Sequence, residues 1–390
     1  MLYDCAIIGG GLGGLALSIL LAKSGKKVIL FEKETYPFHK VCGEYISMES
    51  WEFVKSLGIE LVDKTVSMNL SEKTPVPVIN RLHISACNGN LLTQSLDLGG
   101  FGISRYSLDN QLAKIACSHG VVLLENTKVD SIEFGENIFT ISANHVQYQA
   151  QITCGAYGKR TNIDVKLQRN FVMKVPPPTQ NFVGVKYHVV ADLPHDLIEL
   201  HNFKDGYCGI SKVDDLVANE NRFCLCYLTT AKNLHDNHNK IAEMEENVLM
   251  KNPFLRKYFS EYEKLYDKPL VISQINFQSK QIIENHILML GDAAGLITPL
   301  CGNGMSMALH SAKILNELII KYLDKELNRI ELETMYVKTW HKHFAVRVYA
   351  GRMLQKILGN EQLTNIAING LKKMPAVVRK LVSLTHGNSF

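Results

Sequence analysis

Tryptophan is scarce in this chain: Trp51 and Trp340 are the only two in 390 residues, and they lie far apart. No run approaches eighteen uninterrupted apolar residues, so no membrane-spanning helix is expected. The net charge is only +4 and is dispersed, which argues against a nucleic-acid partner. Nine cysteines, an odd number, include no Cys-x-x-Cys pair. Neither a zinc site nor a thioredoxin-type motif is therefore indicated, and free thiols in a reducing cytoplasm are expected. No internal repeat, low-complexity tract or signal peptide is evident.

What is present begins at once. Leu2 to Ile8 is a mostly apolar run of strand length, followed by Gly9-Gly10-Gly11-Leu12-Gly13-Gly14 and a helical segment from Leu15 to Ala22. A second strand, Lys27 to Phe31, runs into Glu32. Gly9 permits a tight strand-to-helix turn, Gly11 lets backbone approach a pyrophosphate, and Gly14 lets helix and strand pack closely. The helix N-terminus offers unpaired N–H groups and a positive dipole end to phosphates. Glu32 stands where a carboxylate can accept hydrogen bonds from both hydroxyls of an adenosine ribose. The spacing predicts a dinucleotide site.

A loop from Tyr36 to Tyr45 leads to a short helix at 50–57. Strands at 79–86 and 91–96 flank Asn88-Gly89-Asn90, a hairpin signal. A helix is expected over 110–118, then strand character to 154, with Gly155 to Arg160 following. Pro176-Pro177-Pro178 marks a boundary, because three prolines cannot continue a helix or central strand. Further strands are expected at 182–190, 206–213, 222–228, 270–277 and 286–290, and a polar helical stretch at 231–250. From Met305 through Trp340 the pattern is helical. These segments predict an α/β dinucleotide-binding unit over 1–60, 100–165 and 275–325. A mostly antiparallel sheet unit is inserted over 61–99 and 166–274, and helices occupy 326–390.

Two further runs narrow the ligand. His286 to Gly295 reads as a buried strand followed by Gly291, Asp292 and small residues, and Thr298-Pro299-Leu300-Cys301-Gly302-Asn303-Gly304-Met305 precedes a long helix. Asp292 sits at a strand's carboxyl end, where open α/β sheets bind ligands. The glycines of 302–304 expose N–H groups at another helix N-terminus, which suits negative charge.

Together with the N-terminal fingerprint, these runs resemble the FAD-dependent oxidoreductases of the aromatic hydroxylase (flavoprotein monooxygenase) type and their geranylgeranyl reductase-like relatives. The resemblance implies a Rossmann-like FAD-binding domain of the glutathione reductase type. It implies FAD held by Gly9, Gly11, Leu12, Gly13, Gly14, Glu32, Lys33 and Lys40 at the adenosine and pyrophosphate end. Arg105, ahead of Leu108-Asp109-Asn110-Gln111-Leu112, is implied at the pyrophosphate and Val129 at the adenine. Gly291 and Asp292 are implied at the ribityl chain, with Pro299, Gly302, Asn303, Gly304 and Met305 along the isoalloxazine. The family's Asp-Gly element is absent, since Gly155-Ala156-Tyr157-Gly158-Lys159-Arg160 has Tyr157 in its place. The reductant, NADPH, NADH or a protein, is therefore open. Lys159 and Arg160 are either phosphate ligands or, the favoured reading, a solvated basic pair.

Lys40-Val41-Cys42-Gly43-Glu44 resembles the Lys/Arg-x-Cys-Gly-Gly loop of the reductases, which would bring Cys42 beside the flavin. Neither tryptophan forms the Trp-x-Trp of flavin halogenases, which disfavours halogenation. The leading expectation is hydroxylation of an aromatic or polyketide-type molecule through a flavin hydroperoxide. The rival is saturation of double bonds in an isoprenoid or polyketide chain, and a third is a non-catalytic FAD-binding protein. Candidate catalytic residues are Cys42, Glu44 and Tyr207, with His188 a further hydrogen-bonding candidate. Each has a packing alternative, because free cysteine is often buried and strand tyrosines are often core. Residues 331–390 carry nine Lys/Arg against three Glu. Their amphipathic basic face either packs on the FAD domain, the favoured reading, or meets an anionic membrane surface.

Overall fold

The computed structural model describes residues 1–63, 74–174, 176–213, 221–358 and 360–390. Hydrophobic strands without polar alternation end up buried on both faces of a parallel sheet. Leu2–Ile8 is central, with Val28–Phe31 and Val122–Leu124 on one side and Val146–Gly155 and Ile287–Met289 on the other. An antiparallel meander, Val129–Gly135, Ile138–Ala143 and Val146–Gly155, and the short Ile283–Glu284 complete this sheet. Ile8 is in register with Phe31 and Gly155, and Gly155 with Met289. The four carboxyl ends therefore form one edge, from which Gly9, Glu32, Ala156 and the 290–292 segment emerge.

The helix Leu12–Lys23 is apolar nearly all round and nine of its residues are buried. Such a helix needs cover on both sides; it packs between the sheet, the helix Arg105–Ser118 and the helix Gly304–Leu323. The second sheet has nine strands, ordered Glu263–Lys264, Phe182–Val190, Arg222–Thr230, Gly206–Lys212, Leu197–Phe203, Val78–Ser85, Leu91–Gly102 and Tyr45–Ser47, with Leu270–Ile275 also on Phe182–Val190. It is mixed: Leu197–Phe203 runs parallel to Val78–Ser85 and the other pairs are antiparallel. Tyr45–Ser47 carries the chain from the Gly9 edge directly into this second sheet.

The helical stretch expected at 231–250 holds two helices, Ala231–Asp236 and Ile241–Asn247. His238 and Asn239 take positive φ, 57° and 59°, and end the first helix. The C-terminal segment is a thirty-residue helix, Arg329–Leu358, followed by Glu361–Leu371 and Pro375–Ser383. No helix among the described residues is long and apolar enough to cross a membrane.

Candidate functional site

The Gly9 turn is sterically committed. Gly9 has φ +107°, and a Cβ there would lie 2.6 Å from the Ala156 carbonyl oxygen; one on Gly14 would lie 2.1 Å from the Gly9 carbonyl oxygen. Gly11, the N-cap of the helix Leu12–Lys23, differs: the nearest atoms to its Cβ position are the Ala156 oxygen at 3.9 Å and Arg105 Nη2 at 4.0 Å. A guanidinium thus faces a glycine-capped helix N-terminus across open space, a donor set that fits a phosphate pair.

At the far end of the turn, buried Glu32 accepts from the Gly10 N–H at 2.9 Å and the Glu34 N–H at 3.1 Å. Tyr36, which the sequence reading passed over, donates its hydroxyl to the Gly10 carbonyl. Burial, then the nearby Glu32 carboxylate, push that phenol up, so it is a fixed donor. Val129 is buried at the start of its strand. Lys33 is 67% exposed and pairs with Glu34 at 3.3 Å.

Arg105 opens its helix and grips Asp109 with two bonds of 2.8 Å, while Lys40 Nζ approaches the same carboxylate at 3.0 Å. Burial alone would raise the Asp109 carboxyl; Arg105 and Lys40 hold it below its ordinary value. Two cations share one buried anion, which leaves positive charge for a phosphate beside Gly11. Asp292 lies in the turn Gly291–Ala293, where Gly291 has φ +58°. Burial raises its carboxyl, opposed by Lys280, Arg105 and Lys159. Lys280 donates to the carbonyls of Asp292 and Lys159, both at 2.6 Å, and burial pushes its ammonium down to about 8. Lys159 and Arg160, both partly exposed, reach the second sheet, donating to the Ser273 carbonyl and to Gln274 at 3.0 Å. Tyr157 directs its hydroxyl at Met289 Sδ, 3.2 Å away.

The loop ahead of the helix Gly304–Leu323 turns at Gly302, φ +63°, whose Cβ position is 3.0 Å from the Tyr45 ring. Asn303 is fully buried; its Nδ2 donates to the Thr385 carbonyl at 2.6 Å and its Oδ1 has no partner. Cys42 Sγ meets Met305 Sδ at 3.6 Å, joining the 40–44 loop to this one.

Behind Cys42 lies a buried charge cluster. Strand alternation puts Lys186 and His188 on one face of Phe182–Val190, and the cross-strand partner of His188 is Cys224. Glu44, at φ 56°, receives Lys186 Nζ at 2.6 Å, His188 Nε2 at 2.7 Å and the Arg105 N–H at 2.9 Å. Burial would raise the Glu44 carboxyl, but Lys186 and His188 outweigh it and hold it at about 2; Lys186 is pushed up to about 12. Glu44, His188 and Cys224 place their ligand atoms within 4.8 Å of one another, a spacing a metal could use. Lys186 already supplies the positive charge there. The alternation of Lys186 and His188 within an apolar strand was the signal for this cluster.

Tyr207 is on the other side of the loop, 4% exposed among Leu228, Ile275 and Leu296, with no hydrogen-bond partner for its hydroxyl. Leu296 and Leu300 bring the Pro299 segment against it. Burial pushes this phenol well up, so it stays protonated. Cys42 and Glu44 thus stand on the Met305 side and Tyr207 on the Pro299 side of one loop.

Comparison with known proteins places the chain among proteins of similar fold. A model of the NAD(P)-binding Rossmann-like domain matches residues 7–41. Conditioned medium factor receptor 1 of Dictyostelium discoideum is 25% identical over 366 residues, covering 88% of this chain and 68% of that protein. The flavin-dependent brominase Bmp2 superposes with TM-score 0.77 at 16% identity, covering 99% of this chain and 93% of that one. A geranylgeranyl bacteriochlorophyll reductase-like protein from Thermoplasma acidophilum gives 0.76 at 14%, covering 100% and 96%. The chain has the flavoprotein fold that the sequence resemblance implies, with a Rossmann-like nucleotide-binding segment at its start.

Proposed function

We propose that the chain is an FAD-dependent oxidoreductase that hydroxylates an aromatic or polyketide-type small molecule. The observation that carries the cofactor assignment is the open space at Gly11, bounded by a helix N-terminus and the Arg105 guanidinium. Glu32 would hold the adenosine ribose, Arg105 and Lys40 the pyrophosphate, Asp292 the ribityl hydroxyls, and Gly302 to Met305 the reactive ring edge. FAD, when bound, supplies two-electron redox chemistry and, once reduced, reactivity toward dioxygen. With Glu32 taken by the flavin's adenosine, NADPH or NADH would dock elsewhere as reductant.

The chain's own residues position and protonate. Glu44, held as a carboxylate at about 2, is a charge anchor for Lys186, His188 and the Arg105 N–H and is not a proton donor at neutral pH. Tyr207 offers a protonated hydroxyl without a partner, suited to a hydrogen bond with a substrate oxygen. A second reading, saturation of an isoprenoid or polyketide double bond, is favoured by Cys42, whose thiol against Met305 would supply the proton. Oxygen consumption coupled to oxygen incorporation into product supports the first reading. Anaerobic saturation of an alkene, lost in Cys42→Ala, supports the second and ends the first.

The helix Arg329–Leu358 exposes Val346, Tyr349, Met353 and Ile357 at helical spacing; Ile366 follows on the next helix and Met374 just ahead of the last. Lys342, Lys356, Lys372 and Lys373 lie in the same segment. Apolar residues set among cations favour peripheral contact with an anionic lipid surface.

A further inference from the structure

A cavity of about 710 Å³ opens between the strand Leu91–Gly102, the helices Gly304–Leu323, Arg329–Leu358 and Pro375–Ser383, and the segment 386–390. Its volume lies in the range of small-molecule sites, roughly 300–1,000 Å³. It is separate from the Gly11 cradle and from the Tyr207 cluster, since none of their residues line it.

Its chemistry is amphipathic. Lys342, Arg347 and Arg379 line it, with Asp97 as the opposing carboxylate. Arg347 is committed to buried Glu49 at 3.2 Å. Lys342 and Arg379 make no ion pair among the described residues, and with Asp97 as the one acidic side chain in the lining, cationic side chains predominate there. Apolar side chains share the lining: Tyr45, half-buried Val382 and the more exposed Leu98 contribute, and the Phe390 ring stacks on His310 with centroids 4.2 Å apart and planes 6° from parallel. His310 is 8% exposed and its Nδ1 has no partner. A buried imidazole nitrogen left unpaired costs free energy until a ligand or water satisfies it.

One wall is shared with the redox loop. Tyr45 lines the cavity, and its ring is also 3.0 Å from the Cβ position of Gly302. The 385–390 segment that forms another wall is bonded through the Thr385 carbonyl to Asn303. A ligand in the cavity would thus be one tyrosine ring from the loop assigned to the cofactor's reactive edge.

We propose that this cavity binds an organic anion, an apolar chain or ring bearing a phosphate or carboxylate, with its charge at Lys342 and Arg379 and its apolar body toward Tyr45 and Phe390. Its role as the substrate's site rests on the flavoenzyme reading above; the binding itself does not. The cations without the apolar side chains would select free phosphate, and those side chains without the cations would select a neutral hydrocarbon. Their juxtaposition selects the amphiphile.

The test is calorimetric titration of the full chain with octyl phosphate below its micelle concentration, against octanol and inorganic phosphate. Octyl phosphate is expected to bind at least about tenfold more tightly than either control, the size of one charge-assisted contact. Lys342→Gln/Arg379→Gln should remove that advantage, while Lys257→Gln/Lys268→Gln, with the same charge loss on the inserted unit, should not. Equal binding of octanol, equal binding of inorganic phosphate, no binding, or equal losses in both double variants would each overturn the proposal. FAD loading, read by absorbance on the same samples, reports separately. Full loading without octyl phosphate binding ends the cavity proposal alone, and octyl phosphate binding without loading ends the flavoenzyme reading alone.

Discussion

At the scale of single residues, Glu44 and Lys186 are the pair with most at stake. Both are buried, and each carries a charge that burial alone would suppress. Removing one partner strands the other, at a typical cost of about 3–5 kcal/mol, whereas removing both often costs little. Glu44→Gln should therefore lower stability in denaturant titration by about that amount, and Glu44→Gln/Lys186→Met should recover most of it. The pH dependence follows from the two shifts. Glu44 is depressed from 4.5 to about 2, so its contribution is full above about 4.5 and fades as pH falls toward 2. Lys186 is raised from 10.5 to about 12, so its contribution is full below about 10.5 and fades as pH rises toward 12. Stability measured across pH should show a plateau between those limits, and Glu44→Gln should flatten the acid limb. Gly14 is the simpler case. A Cβ 2.1 Å from the Gly9 carbonyl oxygen meets backbone, which cannot rotate away. Gly14→Ala should lower the melting temperature, for a cost of about 1–3 kcal/mol, and abolish flavin retention in the absorbance spectrum.

At the scale of elements, the helix Arg329–Leu358 explains how the tail reaches the site. Gly351, in its interior, would place a Cβ 2.9 Å from Thr298 Oγ1 and 3.0 Å from Cys301 Sγ. The glycine costs helix propensity of roughly 1 kcal/mol relative to alanine and allows the helix to press on the 298–301 turn. Gly351→Val should push the two apart and raise the dissociation constant for FAD severalfold by equilibrium dialysis, with smaller loss of helicity in circular dichroism. On the outer face of the same helix, Tyr349→Ser/Met353→Ser should reduce co-sedimentation with anionic vesicles at low salt while leaving FAD content unchanged.

The elements also mark what a sequence can carry. The Gly9 turn, the Asn88-Gly89-Asn90 hairpin and the helix from Gly304 were legible because each has local chemistry that fixes its backbone: glycines at turns, apolar strands, helical periodicity. The strand Leu197–Phe203 was not. Its inward residues include Glu199 and His201, which are buried because His83 and Tyr258, distant in sequence, bond to them. A polar residue at a core position reads as surface until its partner is known. Likewise Tyr36, Lys280 and the Cys42 contact with Met305 depend on loops brought together by the sheet edges, and no local pattern announces them.

At the scale of the molecule, two sheets meet at one loop. The parallel sheet delivers Gly9, Glu32 and Asp292 to a common edge, and Tyr45–Ser47 then carries the chain into the second sheet. Residues 302–305 thereby touch the 40–44 loop, the wall of the 710 Å³ cavity and the C-terminal segment. In the function proposed above, the Gly9–Glu32 fingerprint grips a resident FAD and not a nicotinamide dinucleotide. It is tested most directly by loading the full chain with FAD or with NADPH, removing free ligand, and reading the retained absorbance. The expected result is about one FAD per chain, greatly reduced in Arg105→Met and Asp292→Ala, with NADPH not retained. Retention of NADPH in competition with FAD, or FAD loading indifferent to Arg105 and Asp292, would contradict it.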